Sequence, residues 1–413
     1  MAVVVPLLSV AALFSKKLNA LVQGRKGLFE KVDKHYRSIP SSRKRIIIHV
    51  ASFGELEQAK PIIALIKSRE PETHIHLTFF SPSGYENTIG KYSLPDLITY
   101  LPFDTGSSVR KFLDSAKPDQ FIFIRYDVWH TLATELAKRK IETLLLCATF
   151  DDRKNISSSI KSLYYRTYSR LSAILAIRES DAAALTALGI ERNRIIVSGD
   201  TRFDQVIARK GATVEQNTPL LPQHVIETLN TRHLLIAGST WPEDEALLAS
   251  ALSSDSLRSQ VSLIVVPHEV ETPHIEYVRS LFPQSILLSQ IDRYSNEPVI
   301  IVDSIGKLFA LYGYGKSAYI GGGFGDGIHN TLEPAVWGLP VIAGPKNERS
   351  KEWAELESAG GGFTISDETE LETFLITLSS NEHAHKEAAT SASKYVYENQ
   401  GATVAISTAL RLS

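Results

Sequence analysis

The chain has 413 residues, 43% of them hydrophobic and 22% charged, with a net charge of −2 and a single cysteine. This length is too great for one ordinary core and predicts two domains, while the composition excludes a fibre, a disordered polypeptide and a disulfide scaffold. The charge is uneven: residues 1–45 carry ten Lys/Arg against Glu30 and Asp33, a surplus of +8, so the rest of the chain stands at −10.

The N-terminal run MAVVVPLLSVAALF is apolar and is followed by Ser15-Lys16-Lys17. It is shorter than the ~20 residues needed to span a bilayer, and it contains Pro6. A signal peptide would carry its positive charge ahead of the apolar run and end on an A-x-A-like site, and neither is found. Two readings remain, an interfacial segment touching anionic lipid and a buried N-terminal helix. The charge asymmetry favours the first. A nucleic-acid partner is disfavoured, because the body is acidic and aromatic and basic residues do not interleave.

Short apolar, β-branched runs then recur, each followed by a helical pattern. They are 45–51, 74–80, 120–126, 143–150, 172–178 and 194–199, and then 233–239, 261–267, 298–304, 317–323 and 340–345. Near-continuous apolar strands alternating with helices predict parallel sheets covered on both faces, the doubly wound α/β class. Cys147 falls inside one such run, TLLLCATF, where burial is expected and a reducing compartment fits. The alternation breaks once, near 205–231, where ARKGATVEQNTPLLPQ is polar, carries Gly and two prolines, and reads as a linker. The expected organisation is a basic membrane-associating segment over 1–45 and an α/β domain over 46–212. A second α/β domain over 213–413 would face the first across a central cleft.

Ligands of open α/β sheets bind outside the carboxyl ends of the strands, so the residues just after each strand matter most. After the first strand comes Ser52-Phe53-Gly54-Glu55. As a first-turn acid, Glu55 is stabilised by the helix dipole whatever its role; in a cleft, the ionised carboxylate could serve as a general base. Asp127 leaves the apolar strand QFIFIRY; it is either a site residue or a partner of Arg125. Arg202, in SGDTRFD, could offset charge on a departing phosphate or form a surface pair with Asp204. His268 could touch a donor nucleotide or simply pack, and Lys307 has the same two readings. The densest signal is GGGFGDGIHNTLEPAVWGLPVIAGP at 321–345. No window fits G-x-G-x-x-G, and Gly315-Lys316-Ser317 lacks the earlier glycine of a P-loop and precedes its strand. Asn330 and Glu333 could form a reciprocal helix cap. Alternatively, amides near Asn330 hold phosphate while Glu333 accepts ribose hydroxyls. Capping does not call for three glycines ahead of it, so the second reading is favoured. Metal signals are weak: His74 and His76 share a strand face without a third ligand nearby in sequence, no Asp-x-Asp occurs, and Glu243-Asp244-Glu245 reads as a helix start.

In order along nearly the whole chain, HVASFGELEQAKPII, LPFDTGSSVRKFLDSAKPDQFIFIRYDVWHTL, SGDTRFD and the 321–345 segment resemble the 3-deoxy-D-manno-octulosonic acid (Kdo) transferases of lipid A biosynthesis. The resemblance implies a two-domain GT-B glycosyltransferase that moves Kdo from CMP-Kdo to the lipid A precursor with inversion and without a metal or other cofactor. It also implies a location at the cytoplasmic face of the inner membrane. Carried over by motif, the catalytic acid falls on Glu55. Asp127 and Arg202 then stabilise the transition state, and CMP contacts fall on His268, Glu269, Gly306, Lys307, Leu308, Asn330, Thr331, Leu332 and Glu333. Three departures stand out. Arg125 replaces the first acid of the family's Glu-x-Glu segment, Arg202 replaces a lysine, and Pro267-His268-Glu269 replaces Pro-Arg-His. A different GT-B enzyme, using a UDP-sugar as transferase or epimerase, and a non-catalytic nucleotide- or lipid-binding scaffold are the alternatives.

Overall fold

The computed structural model describes residues 16–150, 157–348 and 350–410; the apolar run at the N-terminus lies outside them. The chain divides into two compact units, residues 1–205 with 400–413, and residues 206–399.

The first unit is built on seven parallel strands: β1 (Arg45–Val50), β2 (His74–Phe79), β3 (Leu97–Tyr100), β4 (Gln120–Ile124), β5 (Glu142–Ala148), β6 (Ala173–Ala176) and β7 (Ile195–Val197). Their order is β3-β2-β1-β4-β5-β6-β7. Every residue of β1, β2 and β4 is buried, as a sheet covered on both faces requires. The period-2 alternation of strands sorts the side chains between two cores. Ile47, Phe121 and Phe123 pack with Val32 and Tyr36 on one face. Ile46, Ile48, Ile122 and Ile124 pack with Leu56, Ile62, Ile63 and Ile66 of the helix Phe53–Arg69 on the other.

The second unit repeats the plan with β8 (His233–Thr240), β9 (Val261–Pro267), β10 (Ser285–Leu287), β11 (Val299–Ile301), β12 (Ser317–Ile320), β13 (Val341–Ala343) and β14 (Gly362–Thr364), again all parallel, in the order β10-β11-β9-β8-β12-β13-β14. The expected pair of doubly wound α/β sheets is present.

The structure redraws three expected boundaries. Residues 16–45 belong to the first unit instead of forming a separate segment, and much of their positive charge is used internally. Arg25 is buried, donates to the carbonyls of Leu21, Phe80 and Leu101, and lies 4.6–5.0 Å from the Phe80, Tyr100 and Phe103 rings. Burial lowers its pKa to about 10. Arg45 is buried over Tyr36, while Arg43 and Lys44 pair with Asp96 and Glu70. The polar stretch expected to be a linker is mostly the helix Thr201–Gln216, and the division between units falls within it. Phe203 and Val206 bury on this helix, and that burial outweighs the ~1 kcal/mol cost of Gly211 in a helix interior. Finally, 400–413 returns to the first unit instead of closing the second. Asp204 accepts the Gly401 and Thr403 amides, both at 2.6 Å, and so holds the start of the helix Ala402–Ala409. Ile406 and Leu410 then enter the core beside the helix Phe53–Arg69.

No helix among the described residues is long and apolar enough to cross a membrane. Because Ile406 is fully buried in the core of the first unit, Ile406→Ala is expected to cost about 2–5 kcal/mol. Denaturant unfolding should show this loss, and a change below 0.5 kcal/mol would mean that the C-terminal helix is not part of that core.

Candidate functional site

In the first sheet the order reverses at β1 and β4, which pair with each other while their other neighbours lie in opposite directions. Chains leaving the carboxyl ends of two such strands diverge and open a crevice. Glu55 follows β1 and Asp127 follows β4, so the two acids lie beyond the carboxyl ends of the strands at this reversal.

Glu55 is 3% exposed. Its Oε2 accepts the Ser52 amide at 2.8 Å and the Ser52 hydroxyl, in a capping box at the start of the helix Phe53–Arg69. The first-turn acid expected at Glu55 is therefore present, and it is also the reciprocal acid of a capping box. Oε2 fixes the acid, and Oε1 makes no hydrogen bond among the described residues.

Asp127 follows Arg125, which adopts a left-handed backbone (φ 71°) that a non-glycine residue rarely takes. Asp127 does not pair with Arg125. Its Oδ2 accepts from Trp129 Nε1 at 3.1 Å and contacts His49 Nε2 at 3.1 Å, and the side chain is 24% exposed. Asp104 caps the helix that follows, accepting the Thr131 and Leu132 amides at 2.9 and 2.8 Å.

Arg202 opens the long helix after β7. Its partner is Asp200, not Asp204: Nε and Nη2 reach Asp200 Oδ2 at 2.9 and 2.6 Å. Asp200 Oδ1 accepts the Arg202 amide and Gln58 Nε2, at 3.0 and 3.1 Å. The Thr201 hydroxyl donates to the Gln58 carbonyl at 2.7 Å. Gln58 lies one turn beyond Glu55, so this network ties the Glu55 helix to Arg202. Burial pushes the Asp200 carboxyl up. The Arg202 charge and the hydrogen bonds from Arg202 and Gln58 outweigh that, leaving its pKa below the usual carboxylate range.

In the second sheet the order reverses at β8 and β12, and the residues beyond their carboxyl ends include Trp241 and the glycine segment. Trp241 Nε1 donates to His329 Nε2 at 3.0 Å, and the two rings lie 12° from parallel with centroids 6.4 Å apart. They are edge-to-edge neighbours in a nearly flat aromatic surface. His268 stacks over both, at 4.5 and 4.6 Å. Because the indole N–H only donates, the His329 proton sits on Nδ1. Burial, and then His268, lower the His329 pKa to about 4.

The glycines of this segment have a packing reason. A Cβ on Gly321 would lie 2.2 Å from the Ser239 carbonyl oxygen, and one on Gly323 would lie 2.5 Å from the Gly344 nitrogen. Asn330 is exposed and accepts the Leu332 amide at 3.1 Å in a local turn just ahead of the N-cap Thr331, which makes no side-chain cap bond. Glu333 is not the reciprocal acid: it pairs with Arg209 at 2.7 Å. The helix it opens has only five residues. Thr331 and Leu332 bury their side chains, whereas His268, Glu269 and Gly306 are exposed and Lys307 and Leu308 partly so.

The structure thus gathers Glu55, Asp127 and Arg202 into the first unit, and His268, Asn330 and Glu333 with 306–308 into the second. Sequence reasoning passed over His49, Gln58, Asp200 and Trp241, and read Asp244 only as part of a helix start, which it is. Asp244 accepts the Trp241 and Gly322 amides and the Tyr319 hydroxyl at 2.7–3.0 Å, and so holds the glycine segment to β12. The signal for Asp200 was its place two residues before Arg202. His49 and Gln58 had none, each lying inside an element. Near His74, the helix Leu28–Arg37 brings His35, with the two Nε2 atoms 2.8 Å apart. Even so, no group of three His, Cys, Asp or Glu among the described residues is arranged to hold a metal ion.

Residues 23–205 match the family model described as 3-deoxy-D-manno-octulosonic-acid transferase (kdotransferase). The 3-deoxy-D-manno-octulosonic acid transferase of Aquifex aeolicus is 29% identical over 345 residues, covering 83% of this chain and 88% of that protein. The Haemophilus influenzae enzyme of the same name is 28% identical, covering 72% of this chain and 70% of its own length. Among solved structures, the UDP-GlcNAc 2-epimerase of Neisseria meningitidis bound to UDP-GlcNAc superposes with a TM-score of 0.62 at 13% identity, over 89% of this chain and all of that one. A Rickettsia africae glycosyltransferase gives 0.56 at 13%, over 90% of this chain and 97% of that one. These structural likenesses speak to the GT-B fold alone.

Two predictions follow from the charges. Asp200→Asn removes a buried carboxylate that pairs with Arg202 and accepts from Gln58, and is expected to cost about 3–5 kcal/mol at pH 7. A carboxylate whose folded pKa is lowered stabilises above its unfolded value of about 3.9. The gap between wild type and variant should therefore close as pH falls through the lowered Asp200 value, and denaturant unfolding at pH 7 and pH 3 measures it. His329 acts in the same direction, although its favoured form is neutral. The unfolded chain takes up the His329 proton near pH 6.5 and the folded chain only near 4, so stability should fall as pH drops between these values. His329→Gln should flatten that slope; an unchanged slope would rule His329 out as its source.

Proposed function

We propose that this chain, a member of the Kdo transferase family, transfers Kdo from CMP-Kdo to a lipid A precursor with inversion at the anomeric carbon. The observation that carries the reading is the placement of Glu55 and Asp127 beyond the carboxyl ends of β1 and β4, where the sheet order reverses, inside the 23–205 segment that matches the family.

In this reading Glu55 Oε1 takes the proton of the acceptor hydroxyl as that oxygen forms its bond to the anomeric carbon of Kdo. The bond from that carbon to the CMP phosphate oxygen breaks, and its electron pair leaves with CMP. The proton passes from Glu55 to solvent after release. Asp127 and Arg202 stabilise the transition state, the carboxylate toward the developing positive charge on the sugar and the guanidinium toward negative charge. For the nucleotide, His268, Glu269 and residues 306–308 supply exposed polar contacts. Asn330, Thr331 and Leu332 act through their backbone, the last two because their side chains are buried, and Glu333 receives the ribose. No metal or other cofactor takes part. Lys26, in the turn ahead of the helix Leu28–Arg37, and Lys34 on that helix, both exposed, hold the enzyme at anionic lipid on the cytoplasmic face of the inner membrane.

The test is mass spectrometry of lipid products after incubation with CMP-Kdo and the tetra-acylated lipid A precursor lipid IVA, with UDP-sugars as the parallel arm. One or more added Kdo masses are expected, in EDTA as without it. Product only from UDP-sugars would place the chain in a different GT-B activity, and CMP binding by calorimetry without turnover would make it a scaffold. Glu55→Gln keeps an acceptor for the Ser52 amide and so preserves the helix start. It is expected to lower kcat by about 10²–10⁴-fold; near-wild-type transfer would remove Glu55 as the base.

A further inference from the structure

We infer that Thr78, His49 and Asp127 form a hydrogen-bonded relay that fixes the orientation of Asp127, with His49 and Thr78 as positioning residues for the transfer reaction. The inference rests on the role given to Asp127 above.

His49 is the fifth residue of β1 and is fully buried, and Thr78, its register partner on β2, is fully buried too. The interior of a parallel strand ordinarily holds apolar side chains, and a polar one there is kept only when it is hydrogen-bonded. Both ring nitrogens of His49 are engaged, in opposite directions. Nδ1 lies 3.0 Å from the Thr78 hydroxyl and Nε2 lies 3.1 Å from Asp127 Oδ2. The Phe123 ring closes one side, edge-on at 6.2 Å. The imidazole therefore spans the sheet from β2 to the residue that leaves β4.

The proton positions follow from donor and acceptor chemistry. Trp129 Nε1–H donates to Asp127 Oδ2 at 3.1 Å, and an indole nitrogen can only donate. With Asp127 ionised, His49 must also donate to that oxygen, so its proton is on Nε2. A neutral ring then presents a lone pair at Nδ1, and the Thr78 hydroxyl donates to it. That hydroxyl has a second acceptor, the Ile48 carbonyl, at the longer distance of 3.4 Å. Nε2–H faces Asp127 and so holds the carboxylate in one rotamer. Oδ2 is committed to His49 and Trp129. Oδ1 makes no hydrogen bond among the described residues and is the oxygen left for the reacting sugar.

A satisfied buried histidine with only a structural role would make the same contacts, so the test separates the two. Five forms are compared under CMP-Kdo and lipid acceptor: wild type, His49→Leu, His49→Gln, Asp127→Asn and the double variant His49→Leu/Asp127→Asn. Misplacing a catalytic group costs up to about 10²-fold. His49→Leu is accordingly expected to lower kcat by about 10- to 100-fold, with KM for both substrates within about 2-fold. His49→Gln, which keeps a donor toward Asp127, should recover part of the loss. The double variant should be no slower than Asp127→Asn alone, since the relay acts through that carboxylate. Thr78→Val, nearly isosteric, provides a milder version of the same loss should His49→Leu fold poorly. ¹⁵N NMR of His49 in the wild-type protein should report a protonated Nε2 at the pH of the assay. Multiplicative losses in the double variant, full activity in His49→Leu, or a bare Nε2 would each overturn the relay. If wild type makes product but Asp127→Asn is as fast, the role of Asp127 fails and the relay with it. If wild type makes no Kdo product at all, the proposed function itself fails, which is a different result.

Discussion

Strand β1 is flanked on both sides by strands running in its own direction, and β8 repeats the arrangement in the second unit. Parallel neighbours cannot be joined by tight turns, so each connection must cross over a face of the sheet and return. Where successive crossovers leave a strand pair in opposite directions, nothing covers the carboxyl ends between them. The chemistry-bearing residues of both units are found beyond such ends: Glu55 and Asp127 in the first, Trp241, His329 and the glycine segment in the second. The apolar strands that make the sheets thereby also determine where the polar residues gather.

Within the first unit, the carboxylates of the candidate site are paired with fixed donors. Glu55 has Ser52, Asp127 has Trp129 and His49, and Asp200 has Arg202 and Gln58. Each arrangement commits particular oxygens and leaves the acid in one rotamer, which is what a preorganised electrostatic site requires. The second unit treats Asp244 and Glu245 differently. Burial raises both despite hydrogen bonds from Tyr319, His274 and the Trp241 and Gly322 amides. Asp244 holds the glycine segment, Glu245 binds Thr240 and His274, and neither is among the residues proposed to meet the nucleotide.

The class of fold was legible because eleven strands carry dense apolar runs. The three strands that went unread, β3, β10 and β14, are all sheet edges of three or four residues. An edge strand has one neighbour and needs fewer apolar residues, so its pattern is faint. The helix over 201–216 was hidden for a different reason: its polar face, with Gly211, resembles a linker when its buried residues Phe203 and Val206 are read separately from it. At the candidate site, residues immediately after strands were legible from position alone. Partners such as Gln58 and His49 were not, because nothing in a one-dimensional pattern marks an interior polar residue as bonded across the sheet. Arg202 illustrates the limit. Both Asp200 and Asp204 are two residues away, and only the fold shows that one holds the guanidinium while the other receives the amides of the C-terminal helix.

The close approach of Gly321 and Gly323 to the backbone of neighbouring strands bears on how this segment should be compared between relatives. Any side chain at these positions meets main-chain atoms that cannot move aside. The packing therefore calls for glycine at both positions whatever the donor carries. Across a set of homologues, identity at the glycines reports shared descent of a scaffold. Discrimination between donors has to be sought in the variable positions beside them, His268 and Glu269 among them.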